Sequence, residues 1–221
     1  MVSIRRDKWK PGREGPSFTV NKYIYDWDLE PDATYAVSTT MFKVAHRREL
    51  TLGDWSTYLA EDTAFCPYLT IEFKCLDKSG KSLEARNQCV AASLIWLHQR
   101  KEVRNSLNLP PGDLRHYYII IHDYSYIIGE VRFREGFYWQ SQLASGSLTK
   151  KDALREYVRW SNAIHAWGLG TYALSFKEDI ETLIDRKWAV TPAFFGTGNT
   201  ISSMPPPPIP SPGTGDPPGG T

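Results

Sequence analysis

An alternating pattern of apolar and polar residues runs along the stretch from Tyr68 to Lys74. The apolar positions are Leu69, Ile71 and Phe73, and the polar ones are Thr70, Glu72 and Lys74. Because successive side chains of a β-strand point to opposite faces, this pattern predicts a strand whose apolar residues face the core. Glu72 and Lys74 then share the other face, roughly 6–7 Å apart along the strand. Such a pair can hold a metal and orient a nucleophile, but the pattern alone favours an ordinary ion pair.

Further strands are indicated by runs of aromatic and β-branched residues. The predicted strands cover 17–27, 33–38, 116–122, 126–134 and 137–143. Residues 28–32 form a predicted turn that ends with Pro31 and Asp32, and residues 65–67 are expected to interrupt the chain before the Glu72 strand. The apolar run at 116–122 is typical of a strand buried on both faces. His122 and Asp123 are expected at a hairpin turn.

Helical periodicity separates these strands. The predicted helices cover 47–61, 83–107, 148–167 and 175–187, with Thr51 and Thr149 as candidate caps and Asp152 near the positive end of the third. Gly168 and Gly170 are expected to end that third helix. The order of elements predicts an α/β protein in which a mixed central β-sheet is flanked by helices.

The chain divides into three parts by composition. Residues 1–16 are rich in charge, glycine and proline and indicate a flexible lead, residues 17–190 form the predicted domain, and 191–221 form a Pro/Gly-rich tail. The proline run at 205–212 predicts disorder or polyproline II structure. Such a run fits the ligands of SH3- or WW-type modules, although a flexible end is its simplest interpretation.

Composition narrows the function classes. Apolar residues make up 41% of the 221 residues, enough for a substantial core, and the formal net charge of +1 gives no global argument for nucleic acid or a membrane. Cys66, Cys75 and Cys89 lack CxxC spacing, which favours a reducing compartment, and Cys75 and Cys89 are most simply packed free thiols. No secretory or membrane-spanning pattern occurs, so an intracellular protein is expected, in nucleus or cytoplasm. Neither a GxGxxG nor a GxxxxGK[ST] stretch is present, which disfavours dinucleotide-binding and P-loop proteins.

Three segments together carry a resemblance to a known superfamily. They are Pro31-Asp32-Ala-Thr-Tyr-Ala, Pro67-Tyr-Leu-Thr-Ile-Glu-Phe-Lys74 and the following Ser82-Leu-Glu-Ala-Arg-Asn-Gln88. Over residues 17–187 the chain resembles the PD-(D/E)XK nuclease superfamily. More narrowly, it resembles a group of fungal proteins that carry such a nuclease-like domain, many of them without an assigned activity. The resemblance implies the fold of the restriction-endonuclease core.

The resemblance also implies a site. Asp32 and Glu72 would bind Mg²⁺ or Mn²⁺, Lys74 would position or activate the attacking water, and Gln88 would support them. Asp54 and Asp62 compete for the role of first carboxylate, and Arg86 and Asn87 compete with Gln88. Asp32 is preferred because it opens a strand that can lie beside Glu72, although 40 residues separate the two, more than the superfamily usually has.

Two functions follow as expectations. The first is metal-dependent hydrolysis of phosphodiester bonds in nucleic acid, and the alternative is an inactive nuclease-like fold that binds nucleic acid or protein. Two basic clusters are candidates for phosphate contact, but they are expected mainly to form solvated helix surfaces. Their members are Arg100, Lys101, Arg104 and Arg115, and then Lys150, Lys151, Arg155 and Arg159.

Overall fold

The structure, a computed structural model, describes residues 2–5, 18–20, 23–25, 31–52, 59–60, 64–74, 81–112 and 114–190. The strands are β1 (Val2–Arg5), β2 (Phe18–Val20), β3 (Tyr23–Tyr25), β4 (Ala33–Ser38), β5 (Leu59–Ala60), β6 (Ala64–Lys74), β7 (Leu114–His122), β8 (Ser125–Arg134) and β9 (Phe137–Ser147). The helices are α1 (Val44–Leu52), α2 (Lys81–Ser106), α3 (Lys151–Trp167) and α4 (Ala173–Val190). A 3-10 turn covers Thr39–Met41, and a π-helical turn covers Gly168–Tyr172.

The main sheet is mixed, as the sequence predicts. Its strand order is β1-β4-β6-β7-β8-β9, with β5 pairing a further part of β6, while β2 and β3 form a separate hairpin. Within the described ranges, β6 and β7 are the parallel neighbours and every other pair is antiparallel. Helix α2 connects β6 to β7, because parallel neighbours need a long crossover. The protein is therefore of the α/β class.

Helices cover both faces of the sheet. On one face α2 packs through Ala85 and Cys89 against Tyr118 and Ile120 of β7. On the other face Ile164 of α3 belongs to a cluster with strand residues that alternate with those. The strand members of that second cluster include Leu69, Ile71, Tyr117, Ile119, Tyr126 and Ile128. The run that predicts a strand buried on both faces is therefore confirmed, with β7 at the centre.

Strand β6 differs from its prediction at both ends. Exposure on its apolar face rises from 0% at Leu69 to 8% at Ile71 and 52% at Phe73, so the helical layer ends before Phe73 and its predicted core position is wrong. At the other end the strand already includes Phe65, Cys66 and Pro67 instead of being interrupted there. The chain accommodates them with a positive φ of 52° at Cys66 and register shifts against β4, the usual signature of a β-bulge.

The predicted helix at 47–61 is displaced. Helix α1 begins at Val44 and ends at Leu52, so Thr51 lies inside it instead of capping it, and Leu59 belongs to strand β5. The amide groups of His46 and Arg47 donate to the carbonyl of Lys43, which sets the earlier start. Residues 53–58 and 61–63 lie outside the described part of the chain.

The two glycines do not end the third helix. The chain continues from α3 through the π-helical turn directly into α4. Gly168 packs against Tyr68, where an added Cβ would lie 2.2 Å from the ring, so this glycine serves close packing. Asp152 lies in the first turn of α3 as predicted, whereas the position before the helix is Lys150 and not Thr149, without a side-chain cap.

The structure describes only part of the chain before residue 31 and none of it after residue 190. Residues 2–5, which belong to the predicted lead at 1–16, form β1 and pair with β4. The predicted strand at 17–27 contains β2 and β3, which pair with each other. Residues 6–16 and the whole tail from 191 onwards lie outside the described part of the chain. In that part, no helix combines the length and apolar character needed to cross a membrane.

Candidate active site

The pairing of β4 with β6 brings Asp32 next to Glu72. Ala33 is the partner of Ile71 in this antiparallel ladder. The residues directly beyond that pair are Asp32 and Glu72, which therefore lie opposite each other on one face of the sheet. Their carboxyl groups are in hydrogen-bonding contact. The two residues that the sequence proposes as metal ligands are thus neighbours in the structure.

Glu72 is a buried carboxyl group, with 3% of its surface exposed. Burial and, to a smaller extent, the neighbouring Asp32 raise its pKa to about 7, against the opposing effect of Lys74. A carboxyl group that is half protonated near neutral pH accommodates a neighbouring carboxylate by keeping its proton. A cation at this position would replace that proton.

Lys74 connects the carboxyl pair to α2. Its Nζ lies 3.4 Å from Oε2 of Glu72 and donates a hydrogen bond to Oε1 of Gln88 at 3.0 Å. Gln88 can reach it because α2 crosses this face of β6 and β7. The rival positions Arg86 and Asn87 are exposed. Of the three candidates on this helix, Gln88 is therefore the one that reaches the site.

The backbone of β6 orients the Asp32 side chain. The amide of Phe73 donates a hydrogen bond to Oδ2 of Asp32 at 2.8 Å. This contact fixes the carboxylate at the start of β4 instead of leaving it to rotate in a turn. The competing carboxylates Asp54 and Asp62 lie outside the described residues.

The donor atoms at this site fit a hard divalent cation. No group of three or more His, Cys, Asp or Glu side chains suited to a metal occurs among the described residues, so protein side chains here supply the two carboxylates of Asp32 and Glu72. Mg²⁺ is often held by one or two carboxylates and keeps several of its waters. A thiolate or imidazole metal such as zinc would require a different set of ligands.

Two more side chains surround the site without having been assigned to it from the sequence. His122 is the register partner of Lys74 in the parallel ladder and lies on the same face, with Nδ1 3.1 Å from Oδ2 of Asp123. Cys89 is a buried free thiol whose pKa is raised by burial and by Glu72. The parallel register that places His122 here leaves no signal in the sequence.

The turn after β7 closes this edge of the sheet. Asp123 lies in the predicted hairpin turn with φ 53°, and its amide donates to the carbonyl of Lys74 at 3.2 Å. Ser125 donates through its hydroxyl to the carbonyl of His122 at 2.8 Å. These bonds tie the turn to the end of β6, so the site has a fixed wall on this side.

Fold and site together define an α/β protein in which the buried Glu72 and the half-buried Asp32 lie beside Lys74 at the carboxyl end of β6. No protein-family profile, curated protein or solved structure matches the chain.

Proposed function

We propose that the protein is a Mg²⁺- or Mn²⁺-dependent nuclease built on a PD-(D/E)XK core. The observation that carries the proposal is the contact of the Asp32 and Glu72 carboxyl groups, with the pKa of Glu72 raised to about 7. Titratable groups with strongly shifted pKa values are concentrated at functional sites. A purely structural ion pair needs one carboxylate, whereas this site has two and one ammonium.

Each residue has a role that follows from its contacts. Asp32 and Glu72 would hold the cation, and the Phe73 amide keeps Asp32 oriented for it. When bound, the cation supplies Lewis-acid stabilisation of charge on the scissile phosphate.

Lys74 acts from the protein side. Its Nζ donates to Gln88 and lies beside Glu72, which leaves one of the three N–H donors of the ammonium for a water or a phosphate oxygen. A fixed donor aimed at developing charge is the strongest kind of contribution that a side chain makes to phosphoryl chemistry. Gln88 is a positioning residue, because it acts by holding Lys74.

Nucleic acid is the proposed substrate class. Phe73 is half exposed at the same end of β6 as the site, on the opposite face of the sheet, and exposed aromatic side chains stack on bases of single strands. Because the net charge of the whole chain is only +1, the proposal relies on the bound cation and Lys74, and not on a broad basic surface, to attract the phosphates.

The direct test is cleavage of plasmid, single-stranded DNA and RNA with Mg²⁺ or Mn²⁺. Wild type is compared with Asp32→Asn and Glu72→Gln, and Glu84→Gln is the matched control because Glu84 is an exposed carboxylate on α2. We expect metal-dependent cutting in wild type and in the control and its loss in both site variants. Equal cutting in all four proteins would assign the activity to a contaminant or to another site.

The alternative is a nuclease-like fold that binds nucleic acid or protein without turnover. It is favoured by the 3.4 Å contact between Lys74 and Glu72, which gives the buried carboxyl group a partner without any metal. Folded wild type that cuts none of the substrates, and that binds no Mg²⁺ or Mn²⁺ at this site, would establish this alternative.

A further inference from the structure

A cavity of about 210 Å³ lies at the end of the β6–β7 pair opposite to the Asp32–Glu72 site. Glu72 and Lys74 are at the carboxyl ends of these strands, whereas Pro67 and His116, which line the cavity, are near their beginnings. The other walls come from the second half of α2, the segment before β7, and the π-helical turn. They include Trp96, Leu97, Arg100, Arg104, Trp167 and Tyr172.

Arg100 is the central polar group of this cavity. Its side chain is 4% exposed, and its Nη2 binds Oδ2 of Asp179 and, at 2.9 Å, Oγ of Ser175. Its Nη1 is buried and has no hydrogen-bond partner within the described residues. The expectation that this basic cluster forms a solvated helix surface is therefore wrong for Arg100. A buried guanidinium nitrogen without a partner is costly, so a ligand atom that accepts its hydrogen bond would be stabilising.

The charges around Arg100 do not balance. Arg104 binds the same Oδ2 of Asp179, at 2.9 Å, so two guanidinium groups share one carboxylate. None of the described residues that line the cavity is acidic. His116 adds no charge at neutral pH, because burial lowers its pKa to about 3. Among the described groups that face the cavity, positive charge is in excess, which favours an anion.

The remaining lining is largely apolar. Trp167 and Tyr172 pack with ring centroids 5.0 Å apart, and Trp96 and Leu97 line the cavity from α2. Small-molecule sites combine such apolar walls with a few polar groups that fix orientation. A guanidinium fork suits the oxygens of a carboxylate or a phosphate.

We propose that this cavity binds a small aromatic oxyanion, whose carboxylate or phosphate group pairs with Arg100 and whose ring lies against Trp96, Trp167 and Tyr172. The site is separate from the Asp32–Glu72 pair, and the proposal does not depend on nuclease activity.

The test is isothermal titration calorimetry with phenyl phosphate, benzoate and benzyl alcohol as probes. We expect saturable binding of at least one anion with a Kd of about 1 mM or tighter, and no saturation by the neutral alcohol. Binding of phenyl phosphate alone assigns the natural ligand to the phosphates, and binding of benzoate alone assigns it to the carboxylates. Both outcomes support the site.

Three variants locate the binding. Arg100→Gln removes the unpartnered donor, and Thr171→Trp fills the mouth of the cavity from an exposed position while leaving the arginines in place. Both are expected to weaken binding at least tenfold. Arg155→Gln removes an exposed arginine of α3 and should bind as wild type does. The proposal is overturned if neither anion saturates the wild type below about 10 mM, or if Thr171→Trp binds as tightly as wild type.

Discussion

Oε1 of Gln88 accepts a hydrogen bond from Nζ of Lys74 at 3.0 Å and so connects α2 to the end of β6. The same Nζ lies 3.4 Å from Oε2 of Glu72. The ammonium group is therefore held from two sides, by an amide from the helix and by a carboxyl group from its own strand. A donor held in this way needs little reorganisation when charge develops beside it.

Replacing Lys74 with methionine should lower the rate of the proposed metal-dependent cleavage by about 100-fold or more, because one fixed donor is lost. Gln88→Leu should lower it by about tenfold, since Lys74 stays but is less well oriented. The cleavage rates of both variants are measured under single-turnover conditions at saturating metal. Asn87→Leu is the control on the exposed face of α2. If Gln88→Leu and Asn87→Leu cut at the same rate, Gln88 has no role in positioning Lys74.

Glu72 should make the protein less stable as pH rises. Its pKa in the folded protein is raised to about 7, so the folded state holds a proton that the unfolded state releases at lower pH. The resulting contribution to the free energy of unfolding is full below about pH 4, the usual range of glutamate, and is lost as pH rises through 7.

Glu72→Gln removes this dependence. Urea unfolding at pH 5 and pH 8 should show that the variant gains about 2 kcal/mol relative to wild type between the two pH values. Burial lowers the pKa of His116 to about 3, which gives the free energy of unfolding the opposite pH dependence. Because wild type and variant both contain His116, its effect cancels when they are compared. A difference between variant and wild type that does not change with pH would contradict the raised pKa of Glu72. Glu84→Gln serves as the exposed control.

Metal binding should release a proton near neutral pH. The cation needs the ionised form of Glu72, whose pKa is about 7 without metal. Affinity for Mn²⁺ should therefore fall by about tenfold for each pH unit below 7 and level off above it. Calorimetry in buffers of different ionisation enthalpy at pH 6.5 and pH 8 measures the released proton directly. Equal affinity at both pH values, with no proton release, would exclude Glu72 as a ligand.

Gly168 should tolerate no larger residue, whereas Gly170 in the same turn should. A Cβ on Gly168 would lie 2.2 Å from the ring of Tyr68, and a Cβ on Gly170 would meet nothing within 4 Å. Gly168→Ala should cost about 1–3 kcal/mol in unfolding free energy through overpacking. Gly170→Ala should be neutral or slightly stabilising. Chemical denaturation of both variants measures the difference, and equal losses would show that the contact with Tyr68 can relax.

Local patterns predicted much of this fold. Strand β4 coincides with its predicted range at 33–38, and α2 and β7 differ from theirs by only two residues at a boundary. The signals there were strong, because helical periodicity, alternation and apolar runs depend on neighbours in the chain. The contact of Asp32 with Glu72 rests on a register between distant strands, and a resemblance of motifs was needed to propose it.

Other features had no local signal. In the sequence Gly168 suggests the end of a helix, whereas in the structure it allows the ring of Tyr68 to pack closely against the helix. Cys66 and Pro67 resemble a break, although a bulge carries the strand through them. Arg100 resembles a surface residue, and its burial follows from the packing of α4 against the second half of α2, which the sequence of α2 alone does not contain.

The parallel pairing of β6 with β7 also has a consequence for the order of folding. Closing this pair brings together two strands that the 26-residue α2 separates in the chain, and such non-local closure is slow. Asp32 and Glu72 meet through another long-range pairing, that of β4 with β6, and Gln88 comes from the crossover helix. The cluster is therefore complete only once both pairings and the crossover helix are in place. A metal that binds this cluster would stabilise contacts that form late in folding. It would therefore slow unfolding more than it speeds folding.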